Sequence, residues 1–359
     1  MTKATLQNLI NKIKEGEKIY VITHNDLDGV GSAKVASVFL NVANIDYCTY
    51  RVMNDKIDAF CNELYKEYDG LVIADSNLNM IALEKLDKLA RKSFPIMYFD
   101  HHSKSPEQFE FLKKSRIMSE HSKDFCATSL MLNFFTANEF TADSEVDLDR
   151  LNEIVSLIDA WDLYKWRDPE TYEIINDDAN SLNIYFSDNG IEKTVMKFDS
   201  YLTRKFKHLY SSLDLSNISL IKRDLKRTVN FHNKRLLTMQ YPFEGEILDI
   251  GVVFEHKYVS ELGNCLNIYN KHLSFIVIVD MPNNSVNFRT IFDKPDLSKV
   301  AAIYGGGGHP KAAGCNLNEK AFNAFVNRTL SRDQLNMILA INAGKTIETD
   351  SSTETEVEE

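Results

Sequence analysis

Apolar runs alternate with amphipathic stretches along the first 100 residues of the chain. The strand-like apolar runs lie at 18–24, 45–50, 71–76 and 95–100. Helical patterns separate them, at 31–42, 55–68 and 79–92. Strands that alternate with helices in this way predict βαβ units and a parallel sheet.

The later part of the chain has a different pattern. Residues 126–166 have helical periodicity, for which Thr128 or Ser129 is the expected N-cap, and 190–237 is helical and highly charged. A second block follows with strand-like runs at 247–256, 273–280 and 285–290, a helix at 258–270 and a turn at 281–284. This order of strand, turn and strand predicts a smaller mixed sheet.

The predicted fold class is α/β, with more than one domain in 359 residues. The N-terminal domain should contain a mainly parallel sheet flanked by helices, and the smaller C-terminal α/β domain should contain a mixed sheet. We expect the N-terminal domain at 1–188, a helical connector at 189–240, the second domain at 241–344 and a disordered acidic tail at 345–359.

Composition excludes several classes of protein. Apolar residues make up 44% and charged residues 26%, as in soluble globular proteins. No run reaches the roughly 18 apolar residues of a spanning helix, and the first residues lack the apolar core of a secretory signal. We therefore expect a cytoplasmic protein without a membrane partner. The five cysteines are scattered and form no CxxC pair, which argues against disulfides and zinc-thiolate sites.

The charge balance limits the size of a nucleic-acid partner. Lys and Arg number 41 and Asp and Glu 52, a net charge of −11. Proteins that grip long duplexes usually carry a basic stripe, because neutralising phosphates supplies much of their affinity. No such stripe is present, so the sequence favours a short nucleotide substrate over a long duplex.

Polar side chains gather where the predicted strands end. His24, Asp26 and Asp28 follow the first strand, and their alternation in an extended segment would place them on one face. Asp75 follows the third strand, directly after a run that should be buried, where an unpaired carboxylate is costly. Ligands of open α/β sheets bind outside the carboxyl ends of strands. We therefore expect these side chains to converge.

Two more clusters complete the set. Asp100, His101 and His102 follow the fourth strand, and adjacent histidines point in different directions, so that one can bind a metal ion while the other faces the substrate. Asp159 and Asp162 share a helix face at i and i+3. Taken singly, these segments also fit a surface turn, a helix cap or a solvated loop. Their joint occurrence in one α/β domain favours a common site.

The mixture of ligand types indicates which ions would bind. Carboxylates and imidazoles without thiolates favour Mn²⁺, with Mg²⁺ or Co²⁺ as alternatives. Six ligands exceed the needs of one catalytic ion. Two divalent cations about 3.5–4 Å apart, bridged by one carboxylate and with a hydroxide between them, would use them all. Asp75 arises from a central strand and is the expected bridging ligand.

A second candidate site lies in the C-terminal block. The absence of a Cβ at Gly305, Gly306, Gly307 and Gly308 would let backbone N–H groups approach a phosphate closely. His309 and Lys311 would add positive charge or hydrogen bonds, and Arg289 offers a bidentate fork for phosphate. A flexible turn before a helix is the alternative explanation of the glycine run.

In chain order, HNDLDG, IADS, DHH and DAWDLYKW resemble the four motifs of the DHH phosphoesterase superfamily. GGGGHPKAAG resembles the glycine-rich substrate motif of its DHHA1 subfamily, so the motifs run from 24 to 314. HNDLDGVG, together with the spacing from Asp162 to Trp166, is most similar to the oligoribonuclease branch. The resemblance implies the DHH and DHHA1 folds for the two domains.

The resemblance also implies roles for individual residues. One cation would be held by His24, Asp26 and Asp75, and the other by Asp28, Asp75, His101 and an aspartate of the fourth motif. The spacing to Trp166 matches Asp162 to that aspartate, with Asp159 as the reserve. His102 would contact the scissile phosphate and stabilise its developing charge, while Asp100 would orient the histidines.

The implied activity is hydrolysis of short oligoribonucleotides to mononucleotides in a cleft between the two domains. With the same metals, the substrate could instead be a linear or cyclic dinucleotide, or 3′-phosphoadenosine 5′-phosphate. An alternative of a different class is a nucleotide sensor without catalytic activity. Six converging ionisable side chains argue against it, because a protein that only binds nucleotides does not need them. An inorganic pyrophosphatase of the same superfamily would lack GGGGH. The sequence leaves open whether the protein is a homodimer.

Overall fold

A computed structural model describes residues 3–168 and 170–329. The chain divides into two compact units, with the division between 218 and 219. The first unit contains a five-stranded sheet in the order β2-β1-β3-β4-β5, and every pair of neighbours is parallel. Its strands are β1 (Ile19–His24), β2 (Val42–Cys48), β3 (Gly70–Ala74), β4 (Ile96–Asp100) and β5 (Met118–His121).

Helices cover both faces of this sheet. They are α1 (Lys3–Lys14), α2 (Leu27–Phe39), α3 (Tyr50–Asn62), α4 (Met80–Ala90), α5 (Pro106–Lys114), α6 (Ala127–Ala137), α7 (Leu148–Asp162) and α8 (Asp177–Leu202). A 3₁₀ turn at Leu64–Glu67 follows α3, and α8 is interrupted at Gly190, where φ is +76°. The next helix, α9 (Ser212–Asn233), spans the division between the units.

Alternate residues of the central strand β1 enter two different cores. Ile19 and Val21 pack with apolar side chains of α1, α2, α6, α7 and α8, whereas Tyr20 and Ile22 pack with α3, α4 and α5. Full burial of an aliphatic side chain of this size contributes about 1.5–3 kcal/mol. A strand buried on both faces reads as a continuous apolar run, which is the pattern that predicted a parallel sheet.

The second unit contains a six-stranded sheet in the order β10-β11-β9-β8-β7-β6. Its strands are β6 (Leu237–Phe243), β7 (Glu246–Phe254), β8 (Phe275–Asp280), β9 (Ser285–Arg289), β10 (Gly307–Gly308) and β11 (Ala312–Asn316). Only β7 and β8 pair in parallel, so the mixed-sheet prediction is confirmed. The helices of this unit are α10 (Val259–Tyr269), α11 (Leu297–Ile303) and α12 (Glu319–Phe325).

The predicted α/β class and the two sheets are confirmed, but several boundaries differ. Helix α2 begins at Leu27 instead of 31, and α3 begins at Tyr50 instead of 55. The N-cap of α6 is Cys126, not Thr128 or Ser129. The reason is that the amides of the first turn of α6 donate to a carboxylate from another helix, so that the helix needs no capping side chain of its own.

Several elements were not predicted at all, among them α1, α5, β5 and β6. Strand β5 reads MSEH, which has no apolar period that could have indicated it. The predicted connector at 189–240 covers the end of α8, all of α9 and the start of β6. The domain boundaries and a cleft between the domains stay predictions, and the predicted tail at 345–359 lies outside the described residues. In the described part of the chain, none of the helices has the length and apolar character needed to cross a bilayer.

Candidate metal centre

The strand order places a topological switch point between β1 and β3. Helix α2, which follows β1, packs on one face of the sheet, and α4, which follows β3, packs on the other. The two connections therefore diverge at the carboxyl ends of these neighbouring strands and leave a crevice for ligands. His24 ends β1, and Asp75 comes directly after β3.

The first motif reaches this crevice by a route that differs from the predicted one. Only His24 belongs to the strand, because Asp26 is the N-cap of α2 and Asp28 lies in its first turn. The expectation that the three alternate along one extended face is therefore wrong. The turn into α2 requires a glycine, since a Cβ on Gly29 would lie 1.9 Å from the carbonyl oxygen of His24.

One triad of possible metal ligands forms around His24. Its Nδ1 lies 2.7 Å from Oδ2 of Asp26 and 3.6 Å from Oδ2 of Asp75. Asp75 is 1% exposed and adopts a left-handed backbone conformation with φ +53°. Asp visits this region more readily than most residues, but the conformation still stores strain, which is typical of functional sites.

A second triad comprises Asp28, His101 and Asp162. Nε2 of His101 lies 3.3 Å from Oδ2 of Asp162 and 3.9 Å from Oδ2 of Asp28. The same Nε2 is 3.3 Å from Oδ1 of Asp75. Asp75 thus directs one carboxylate oxygen toward each triad, as a bridging ligand would.

The two aspartates of α7 have different surroundings. Asp159 accepts hydrogen bonds from the amide of Cys126 at 2.9 Å and from Nζ of Lys165 at 2.7 Å. Oδ2 of Asp162 is buried and has no hydrogen-bond partner, although it faces His101. The geometry therefore brings Asp162 into the cluster and engages Asp159 elsewhere.

Main-chain donors hold Asp28 in place. Its Oδ2 accepts from the amide of Ala127 at 2.8 Å, and its Oδ1 accepts from the amide of Thr128 at 2.9 Å. These amides open α6, where unsatisfied N–H groups and the helix dipole favour a negative charge. Each carboxylate oxygen can accept further contacts, so a cation could still bind to Asp28.

The buried carboxylates of this cluster repel one another, and a bound cation would relieve that repulsion. Burial, together with the charges of Asp26 and Asp28, raises the pKa of Asp75 well above its usual value. Burial and the same two charges also raise the pKa of Asp162. Burial opposes ionisation of Asp26, but the hydrogen bond and charge of His24 outweigh it and lower its pKa to about 2. Oδ2 of Asp75 is also buried without a hydrogen-bond partner, which native structures rarely tolerate unless an ion or water binds there.

Asp100 and His102 form a hydrogen-bonded pair beside the carboxylates, and Nδ1 of His102 also lies 3.7 Å from Oδ1 of Asp75. Nδ1 of His102 lies 2.7 Å from Oδ1 of Asp100, which is fully buried and also contacts Tyr98 and Lys104. Burial alone would raise the pKa of Asp100, but the hydrogen bond from His102 and the charge of Lys104 lower it. Asp100 therefore stays ionised and fixes the orientation of the His102 ring.

One residue of this region was missed by the sequence reasoning. The Tyr50 hydroxyl lies 2.8 Å from Nε2 of His102, and the Tyr50 ring stacks on the His24 ring with a centroid distance of 4.0 Å. Tyr50 begins α3, directly after β2 and the N-cap Thr49. Its position at the carboxyl end of the strand-like run at 45–50 was the one available signal, since no motif contains it.

The glycine run has a more structural role than predicted. The amides of Gly305 and Gly306 donate to the carbonyl oxygens of Ala302 and Ala301, at 3.1 and 2.9 Å. These two N–H groups therefore have partners within the protein, and the approach of all four N–H groups to a phosphate stays a prediction. Gly306 is required by packing, because a Cβ there would lie 2.1 Å from the carbonyl oxygen of Gly314.

The remaining predicted substrate-binding residues lie along the same sheet. The guanidinium of Arg289 donates to the carbonyl oxygen of Phe288 and to Oγ of Ser260, both at 2.9 Å. Burial lowers the pKa of Arg289 to about 10. Lys311 pairs with exposed Asp293 at 2.8 Å, and the amide of His309 donates to Ala312. Phosphate binding by Arg289, Gly307, Gly308, His309 and Lys311 stays a prediction.

A family model and a curated protein both match this chain. Residues 18–158 match the DHH family, N-terminal domain. Over 321 residues the chain is 29% identical to oligoribonuclease NrnB of Bacillus subtilis (strain 168), covering 86% of this chain and 75% of that protein.

Solved structures share the fold at low sequence identity. One is the DHH domain of a member of the s1p family of ribosomal proteins. It is 12% identical to this chain, with a TM-score of 0.56, and the match covers 92% of this chain and 90% of that chain. Exonuclease RecJ bound to manganese is 14% identical, with a TM-score of 0.51 and coverage of 91% and 92%. The arrangement of helices and strands is therefore one that DHH proteins share.

Proposed function

We propose that the chain is a phosphoester hydrolase of the DHH family, and that it degrades short oligoribonucleotides to mononucleotides with the help of two divalent cations, Mn²⁺ foremost. The similarity to an oligoribonuclease along most of the chain supports this substrate class. The net charge of −11 also suits a short substrate better than a long duplex.

The observation that carries the proposal is the placement of Asp75 between two triads. One triad combines His24, Asp26 and Asp75, and the other combines Asp28, His101 and Asp162. The donors are oxygens and imidazole nitrogens, the set that Mn²⁺ and Mg²⁺ accept in proteins. The buried, unpartnered oxygens of Asp75 and Asp162 support a fit to bound cations.

Bound cations would supply Lewis acidity toward phosphoryl oxygens and activate water at neutral pH. The chain's own residues prepare for that chemistry. Backbone amides of α6 fix Asp28, and the left-handed conformation of Asp75 turns its carboxylate toward both triads. Ionised Asp100 keeps a proton on Nδ1 of His102, whose ring would stabilise charge that develops on the scissile phosphate.

Digestion of end-labelled RNAs of two to twenty nucleotides tests the proposal. We expect Mn²⁺-dependent cleavage of the shortest RNAs, loss of cleavage in chelator, and no cleavage by Asp75→Ala. Glu110→Gln is a matched control, because Glu110 is exposed and, within the described residues, forms its ion pairs with lysines of its own helix. A protein that binds nucleotides under Mn²⁺ but cleaves none of them would overturn the proposal. Faster turnover of linear or cyclic dinucleotides, or of 3′-phosphoadenosine 5′-phosphate, would instead assign the substrate to that class.

A further inference from the structure

Both ring nitrogens of His102 have partners inside the protein. Nδ1 is 2.7 Å from the carboxylate of Asp100, and Nε2 is 2.8 Å from the hydroxyl of Tyr50. His102 is 7% exposed, whereas Tyr50 is 42% exposed. Tyr50 is therefore more accessible to a ligand from solvent than His102 is.

We propose that Tyr50 is a catalytic residue, and that its hydroxyl, backed by His102 and Asp100, donates a hydrogen bond to a nonbridging oxygen of the substrate phosphate. The inference rests on the proposed function, and it changes one part of it. His102 then acts on the phosphate through Tyr50 instead of contacting it directly.

The hydrogen-bonding capacities of the three groups allow this chain of contacts. The ionised carboxylate of Asp100 can only accept, so Nδ1 of His102 donates to it. The phenolic oxygen can accept a hydrogen bond from Nε2 and still donate its own hydrogen outward. A donor fixed in this way needs little reorganisation when charge develops on a phosphate oxygen.

The position of the Tyr50 ring ties the hydroxyl to the metal centre. The ring lies parallel to the His24 imidazole, with an interplanar angle of 23° and a centroid distance of 4.0 Å. It also meets the His102 ring edge-on, at 5.6 Å. The hydroxyl is thereby held next to a histidine of the first triad, where the scissile phosphate must bind if the triads hold cations.

The Tyr50→Phe variant distinguishes the contribution of the Tyr50 hydroxyl from that of its ring. The variant keeps the aromatic contact with His24, so we expect its Mn²⁺ affinity to stay within about threefold of wild type. Loss of one donor to the transition state should lower kcat about 100- to 1,000-fold. Tyr65→Phe is the matched control, because Tyr65 lies in the same unit but outside the cluster, and it should retain wild-type kcat.

A double-mutant comparison tests whether Tyr50 and His102 act as one unit. His102→Asn should lower kcat, and adding Tyr50→Phe to it should lower kcat by less than about threefold more. Effects that multiply would show that the two residues act independently, and would overturn the proposal. Wild-type kcat in Tyr50→Phe would also overturn it, since a phosphate contact by His102 alone needs no phenol.

A binding measurement keeps this inference separate from the choice of substrate. Affinity for AMP in the presence of Mn²⁺, measured by calorimetry, should fall about 3- to 10-fold in Tyr50→Phe. If the wild-type protein cleaves no RNA, the proposed function fails, and AMP binding still decides the role of Tyr50. If RNA is cleaved but AMP affinity and kcat are unchanged in Tyr50→Phe, only the inference about Tyr50 fails.

Discussion

Oδ1 of Asp75 lies 3.3 Å from Nε2 of His101, although the two residues follow different strands. The other oxygen of the same carboxylate faces His24 at 3.6 Å. A single side chain therefore contributes to both halves of the proposed dimetal site. Its replacement should affect both cations, whereas replacement of any other ligand should affect mainly one.

Asp75→Asn should reduce Mn²⁺ binding more than Asp26→Asn does, because Asp26 belongs to one triad only. We expect wild type to bind two equivalents of Mn²⁺, Asp26→Asn to lose one, and Asp75→Asn to bind both weakly. The kcat of Asp75→Asn should fall about 1,000-fold or more. Electron paramagnetic resonance of free Mn²⁺ measures the stoichiometry. Equal losses in the two variants would contradict a bridging role for Asp75.

Asp162→Asn and Asp159→Asn should have different effects, although both residues lie in the last turns of α7. Oδ2 of Asp162 faces His101, whereas Asp159 is paired with Lys165 and the amide of Cys126. We expect Asp162→Asn to lose Mn²⁺ affinity about 10-fold or more, and Asp159→Asn to keep it within a few-fold. Titration with Mn²⁺ separates them, and the reverse order would identify Asp159 as the ligand.

The stability of the metal-free protein should fall as the pH rises. The raised pKa values of Asp75 and Asp162 mean that the folded protein binds protons more tightly than the unfolded chain, whose aspartates have a pKa of about 3.9. The free energy of unfolding contributed by these groups therefore decreases with pH above about 4. Asp26, with a pKa of about 2, acts in the opposite direction and only below that pH.

Thermal unfolding in chelator, between about pH 5 and pH 8, measures this effect. Tm should fall across the range in wild type and less steeply in Asp75→Asn, which has no charge to bury. Saturating Mn²⁺ should flatten the wild-type profile, because the cations compensate the carboxylates. If Tm fell with pH equally steeply in wild type and in Asp75→Asn in chelator, ionisation of Asp75 would cost the folded protein no stability, and this prediction would be wrong.

Gly29→Ala should damage both stability and metal binding. The added methyl group would lie 1.9 Å from the carbonyl oxygen of His24, so the start of α2 must move. Overpacking of this kind typically costs about 1–3 kcal/mol, and movement of His24 should also weaken Mn²⁺ binding. Gly307→Ala is the control, because a methyl group there meets no atom within 4 Å. Equal Tm values for the two variants would contradict the close approach at Gly29.

The sequence predicted the sheet and most members of the cluster because both depend on local patterns. Buried strands read as apolar runs, and polar residues directly after them must lie at one edge of a parallel sheet. The path of the chain through HNDLDG could not be predicted in the same way. Whether Asp26 and Asp28 continue a strand or begin a helix depends on tertiary contacts, such as the amides of α6 that bind Asp28.

The choice between Asp159 and Asp162 shows the same limit. Both lie within one turn of helix. The spacing to Trp166 favoured Asp162 only through the family resemblance, whereas the contacts that distinguish the two residues come from distant segments. Tyr50 was missed because it ends the strand-like run at 45–50, where an aromatic residue normally indicates packing. Its contact with His102 joins residues 52 positions apart, which no local pattern reports.

Two hydrogen bonds to the Asp28 carboxylate come from main-chain N–H groups, those of residues 127 and 128 in α6. Most substitutions at these positions keep the N–H group and therefore the hydrogen bond. Proline is the exception, because it has no N–H. Proline is usually well tolerated at the first position of a helix, because the N–H that it lacks has no partner within the helix. Here that N–H belongs to Ala127 and binds the carboxylate of Asp28. A substitution that general helix rules would class as harmless should therefore disturb a metal ligand almost 100 residues earlier in the chain.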